Sequence, residues 1–349
     1  MRSNWLWLIV ALSLYCLLFS TSALSYAAQE SPLESLYKAA KAEGELMVWS
    51  PTEPEDMQTL SVEFNKDFPG IKVNFFEIRE TDYVPRVVAE SMRGIVGLDV
   101  GTSKYVVIHP LLERNLIQSY NDWSKIFKDL NPASVSKDGK FLANDDYAFV
   151  VAYNSQLVKP AEVPTSWTDL LAPKWKGKIL VEPRANAFAY LGLKWGKEKT
   201  VDYVKKLSVQ NPIFVKGGTA LTQQLAAGAG HLAVGGYAYK IELMKKEGAS
   251  VDWAKKISPI GVMAQALFVT KGSQHPNAGK LFAGWWASAK GQKIMIDKMF
   301  RGALNPGNPY IIMQEFEKNR IELVKETLEN SKAAAAYNEI AAQSLGTFK

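Results

Sequence analysis

Cysteine and histidine are scarce: the 349-residue chain has one cysteine, Cys16, and three histidines, His109, His231 and His275. Cys16 sits inside an apolar N-terminal run, after Tyr15 and before Leu17. It lacks the small preceding residue that a lipid-anchored cysteine needs. A chain without this run has no thiol, which excludes disulfides, thiolate metal sites and cysteine nucleophiles. No two histidines stand at zinc-ligand spacing. The sequence contains no G-x-S-x-G elbow and no P-loop. No pair of carboxylates stands out for acid–base work, so no enzyme is expected. The alternative from that class is a secreted hydrolase or lyase with an unrecognised carboxylate site.

Concentrated charge is missing too. Lys and Arg total 41 against 35 Asp and Glu, a formal net charge of +6. The basic residues are scattered, as in Lys174, Lys176 and Lys178, or Lys245 and Lys246, or Lys255 and Lys256. A nucleic-acid footprint is a stripe with reading elements, so no nucleic-acid partner is expected. Gly228-Ala229-Gly230-His231-Leu232-Ala233 matches a G-x-G-x-x-A pattern. A helix leads into it and a strand leaves it, the reverse of the dinucleotide fingerprint, so it is read as a helix stop and a turn.

What is present begins with a leader. Arg2 precedes an apolar run from Trp5 to Phe19, and a small-residue stretch ends in Ser25-Tyr26-Ala27. Residues 1–27 are therefore expected to be a cleaved signal peptide, because the run is shorter than the roughly 20 residues of a spanning helix. This places the mature chain in the periplasm.

The mature chain alternates short apolar strands with amphipathic helices. Leu46 to Trp49 reads as a strand, Met57 to Phe68 as a helix closed by Pro69-Gly70, and Ile71 to Phe75 as a strand. A helix through Val84, Val87, Val88 and Met92 follows, then a strand at Leu98-Asp99-Val100. A second series runs from Lys178 to Val234. Tyr147 to Tyr153 and Ala264 to Val269 are long enough to cross between two bodies, and an alanine-rich tail helix is expected over Ile321 to Gln343. Such alternation gives mixed, mostly parallel sheets covered by helices. The fold expected is α/β in two lobes joined by crossing strands, with a cleft beyond the strand ends. The lobes are assigned as 28–147 plus 267–315, and 148–266 plus 316–349.

Four stretches, in order, resemble the extracellular solute-binding proteins of the iron(III)-type ABC importer family. They are Ala40 to Leu46 leading to Phe68-Pro69-Gly70-Ile71-Lys72-Val73; Pro164-Thr165-Ser166-Trp167-Thr168-Asp169-Leu170-Leu171; Pro173-Lys174-Trp175-Lys176-Gly177-Lys178; and His275-Pro276-Asn277-Ala278-Gly279-Lys280-Leu281-Phe282 with Gly291-Gln292. The resemblance implies a type II periplasmic-binding fold, hinge closure on a ligand, an ABC permease as membrane partner, and a monomer. Iron-binding members use a histidine, a glutamate and two adjacent tyrosines. Laid on this chain, the histidine position falls near Glu53, the glutamate position near Lys104, and the tyrosine pair on Tyr237-Ala238 with Tyr239 one step on.

A lysine in place of a carboxylate repels a trivalent cation. The ligand expected is therefore a small anion or zwitterion, held by Lys104, Thr102, Arg184, Asn186 and Thr219, with Glu53, Tyr237 and Tyr239 available for a cationic part. No resident cofactor and no metal is expected; ferric iron through Tyr237 and Tyr239 is the rival ligand.

Overall fold

The computed structural model describes residues 30–305 and 309–347. The leader expected over residues 1–27 lies outside the described residues, and among those described no helix is long and apolar enough to cross a membrane.

Among the described residues ten strands form one mixed sheet: β1 (Glu45–Ser50), β2 (Lys72–Glu77), β3 (Val100–Lys104), β4 (Phe141–Asn154), β5 (Ile179–Val181), β6 (Ile213–Phe214), β7 (Leu232–Tyr237), β8 (Val251–Trp253), β9 (Ile260–Val269) and β10 (Leu323–Lys325). Their order is β2-β1-β3-β9-β4-β7-β5-β6, with β10 on β9 and β8 on β4. Parallel pairs make up the two ends, β2-β1-β3 and β7-β5-β6. The long strands β4 and β9 run antiparallel between them and carry the chain from one lobe to the other.

Burial explains why these two strands are the crossings. All ten residues of β9 are buried, as a strand covered on both faces must be. Leu267 and Val269 enter one first-lobe cluster with Val48, Phe64 and Trp286. Ala264, Ala266 and Phe268 enter the other with Trp49, Tyr83 and Ile108. Alternation along a strand divides the two sets. The second lobe has its own cluster, built around Val151, Leu180, Phe188, Val234 and Trp253, and Tyr310, Ile312 and Phe316 join it.

Local chemistry sets the element ends. The helix Pro54–Asp67 buries Met57, Leu60 and Phe64 at helical spacing, and Gly70 turns the chain with φ 91°. Ser166 and Asp169 close a capping box on the short turn Trp167–Leu171, which buries Trp167 and Leu170.

Two sequence expectations are corrected. The third strand is β3, Val100–Lys104, rather than Leu98–Val100. Gly101 to Lys104 carries no apolar alternation; pairing with β9 along its length fixes it instead. Asp99, just before it, accepts from the Met47 amide at 2.7 Å and from the Ser273 hydroxyl at 2.6 Å. The tail is not one helix from Ile321: Leu323–Lys325 pairs with β9, and the helix spans Ser331–Leu345. Asn330 Oδ1 accepts from the Thr327 amide at 2.8 Å and holds the turn between them.

Candidate ligand-binding site

Strand ends and helix starts meet in a cleft of about 780 Å³. The first lobe contributes Glu53, Glu77, Arg79, Thr81 and Lys104; the second contributes Arg184, Asn186, Lys216, Tyr237 and Tyr239. Tyr147, Met263 and Gln265 come from the crossing strands. The volume suits a small organic ligand, within the roughly 300–1,000 Å³ of such sites.

Six helices begin here. Their N-cap residues are Glu53, Arg79, Lys104, Ala185, Gly217 and Tyr237, and none makes a side-chain cap hydrogen bond. Each start carries backbone N–H groups with no partner inside the helix and about half a positive charge. Arg79, Lys104, Arg184 and Lys216 add full positive charges, two from each lobe.

Two bulges shape the walls. Between β4 and β7 the register shifts at Val150/Val151, leaving Gly235 as the extra residue. Its φ is 98°, and a Cβ there would lie 2.9 Å from that of Glu182. Buried Glu182 organises the loop above it. Its carboxylate accepts from Arg184 N at 3.0 Å, Arg184 Nε at 2.7 Å and Gly217 N at 3.2 Å. Arg184 is thus both an ion-pair partner and a half-exposed part of the cleft wall. Asn338 Nδ2, from the tail helix, donates to Arg184 O at 2.8 Å and to Asn186 Oδ1 at 2.9 Å, steadying the same loop.

The second bulge, at Asn144 between β4 and β9, sets Asp145 and Asp146 to different tasks. Lys325 pairs with Asp146 at 2.6 Å. Asp145 meets Arg301, whose guanidinium is 2% exposed. Arg301 also donates to Glu53 at 3.0 Å, to Asp56 at 2.9 Å and to the Tyr147 hydroxyl. Burial pushes the Asp145 and Asp56 carboxyls up, while Arg301 pulls them down. Burial likewise pushes the Tyr147 and Tyr239 phenols well above their usual range.

Six of the eight side chains expected at the ligand face the cleft: Glu53, Lys104, Arg184, Asn186, Tyr237 and Tyr239. The tyrosines 237 and 239 stack, with ring centroids 5.8 Å apart and planes 16° from parallel. Thr102 stands behind the wall, fully buried, and donates to Gln265 Oε1 at 3.4 Å. Thr219 lies one position inside its helix, capped by Gly217, and is not part of the wall.

Sequence reasoning missed Arg79 and Lys216, which precede helix starts just as Lys104 does. It also missed Arg301, whose only local signal is a cation between Phe300 and Gly302. Among the described residues no group of three or more His, Cys, Asp or Glu side chains is placed to hold a metal ion.

Comparison with known proteins agrees with this architecture. The family described as bacterial extracellular solute-binding protein matches residues 99–315. Iron-bound HitA from Pseudomonas aeruginosa superposes with a TM-score of 0.69 at 16% identity, covering 86% of this chain and 99% of that one. A Trichodesmium protein (IdiA, FutA) in complex with iron and citrate gives 0.64 at 18%, covering 87% and 98%. AfuA from Actinobacillus pleuropneumoniae, with exogenous fructose-6-phosphate bound, gives 0.61 at 18%, covering 84% and 93%. At these identities the likeness is one of fold. An uncharacterized Haemophilus influenzae protein is 27% identical over 139 residues, which is 38% of this chain and 40% of that relative; the match spans about two fifths of the relative's length.

Proposed function

Since the chain belongs to the bacterial extracellular solute-binding proteins, we propose that it is a binding component of ABC import and that its cargo is a small solute bearing a phosphate, phosphonate or carboxylate group. The observation that carries this reading is the convergence of six uncapped helix starts and four cationic side chains on one cleft. N–H groups and oriented dipoles at helix starts stabilise anions. Guanidinium and ammonium groups add charge-assisted hydrogen bonds. Both lobes supply such groups, so an anion between them favours the closed form through contacts absent from the open one.

Glu53 and Glu77 on the same wall leave a place for an ammonium, so a zwitterion fits as well. The proposal extends to a cleaved leader over residues 1–27, a periplasmic location, a monomer, delivery to an ABC permease, and no chemistry performed on the ligand.

Ferric iron is the second reading, favoured by the stacked Tyr237 and Tyr239 and opposed by Lys104 and Arg79 across the cleft and by Lys216 on the tyrosines' own side. Thermal unfolding against phosphate esters, phosphonates, carboxylates, their amino derivatives and iron(III) separates the two. A cognate anion at 100 times its dissociation constant raises stability by about 2.7 kcal/mol. Stabilisation by iron(III) alone, with phenolate colour, overturns the anionic reading. Turnover of a bound solute returns the protein to the hydrolase or lyase class.

A further inference from the structure

Behind the cleft residues Glu53, Tyr147 and Tyr239 lies an arrangement of charge that anion binding does not require. The Arg301 guanidinium donates through Nη1 to Glu53 Oε2 at 3.0 Å and Asp56 Oδ2 at 2.9 Å, through Nε to Asp145 Oδ2 at 2.9 Å, and through Nη2 to the Tyr147 hydroxyl. The Tyr147 and Tyr239 ring centroids lie 5.1 and 5.6 Å from its central carbon. Three carboxylates and the Tyr147 hydroxyl hydrogen-bond one positive charge, and the Tyr147 and Tyr239 rings lie against it. The second oxygen of Asp145, Oδ1, is buried with no hydrogen-bond partner among the described residues.

Carboxylate and phenolic oxygens are the donors that hard, multivalent cations seek. In this chain their centre is filled by a guanidinium, which stays protonated at every pH a protein survives and is tethered to the backbone. The geometry points to Arg301 as a specificity-determining residue: a built-in cation among the oxygens of Glu53, Asp56, Asp145 and Tyr147, which with it in place are not set to hold a metal ion, and so a bar to ferric-type ions at this edge of the cleft. The pairing also offsets part of the Glu53 charge, leaving the wall positive on balance. This inference deepens the anionic reading and rests on the cleft being the ligand site.

Terbium(III), a hard trivalent ion whose emission nearby tyrosines sensitise, is the probe. The wild-type protein gives no saturable one-to-one emission. Arg301→Ala opens the centre, and Arg301→Met does so while keeping most of the volume. Each variant binds terbium at least about tenfold more tightly than wild type, because the vacated carboxylates attract a trivalent ion strongly where water is scarce. Adding Asp145→Asn to either variant removes the gain.

Two results overturn the proposal: a cooperatively folded Arg301→Ala or Arg301→Met protein that binds terbium no better than wild type, or a wild-type protein that itself takes one terbium with tyrosine-sensitised emission. If neither variant folds, the wild-type titration still tests the proposal, since saturable binding refutes exclusion. Failure of the anion panel alongside a terbium gain sinks the anionic reading alone. Success of the panel without the gain sinks only the role given to Arg301.

Discussion

Lys104 ends β3 and stands at the N-cap position of the following helix, Tyr105–Glu113, so one residue brings an ammonium and a helix dipole to the same part of the cleft. Arg79 stands in the same relation to the helix Glu80–Met92. Lys104→Ala and Arg79→Ala are each expected to weaken binding of the cognate anion about tenfold, the worth of one charge-assisted hydrogen bond. Isothermal titration calorimetry measures this directly, and unchanged affinity in both removes the anion site.

Behind Lys104 lies Glu326, buried and bonded to the Tyr190 hydroxyl at 3.2 Å. Its carboxyl is pushed up to about 7, chiefly by burial, with Tyr190, Lys104 and the amides of Ala264 and Val106 pulling the other way. The folded chain therefore keeps this proton at pH values where the unfolded chain has lost it. The stability it contributes is complete below about pH 4.5 and is lost as pH rises through about 7, by up to roughly 3 kcal/mol. Glu326→Gln flattens that part of the profile. Thermal unfolding of both proteins at pH 5 and pH 8 checks it, and parallel profiles refute it.

Cleft-lining residues were legible in sequence where one rule held, a polar residue between a strand end and a helix start. Glu53, Lys104, Arg184 and Tyr237 obey it. Arg301 does not, because its partners lie 154 to 249 residues away and only folding brings them near. Thr102 is off the cleft wall for a related reason: β3 runs two residues beyond it, so its side chain sits within the sheet and not at its end.

At the scale of elements, apolar runs announced the crossing strands, and helix spacing announced most helices. Strand β3 was shifted because its neighbours define it, not its own composition. The bulges were invisible for the same reason, although glycine is their one local mark at Gly235. Gly235→Ala is expected to cost about 1–3 kcal/mol, since a side chain there meets both a left-handed backbone and the Glu182 side chain. It also disturbs the carboxylate that holds Arg184 and Gly217, so anion affinity falls with stability. Chemical denaturation and titration of the same variant test both effects; a loss of stability with affinity intact shows that the Glu182 loop does not serve the ligand.

For the whole molecule, the two lobes hold separate apolar clusters and share the strands between them. Relative motion of the lobes is then the easiest large motion, and ligand contacts made from both sides bias it toward closure. Small-angle X-ray scattering with and without the cognate anion is expected to show a smaller radius of gyration when bound. The same titration on Lys104→Ala should need more ligand to reach that compact form. A profile that stays constant at saturating anion rejects closure on ligand binding.

The β4–β9 ladder runs unbroken, apart from its bulge, out of one lobe and into the other. The lobes cannot slide apart without tearing rungs, yet they can rotate by adding a few degrees of twist to each. Release of cargo is in that case an unwinding spread along many bonds, none of which breaks. An emptied molecule keeps its strand register and is ready for another round without refolding any part of itself.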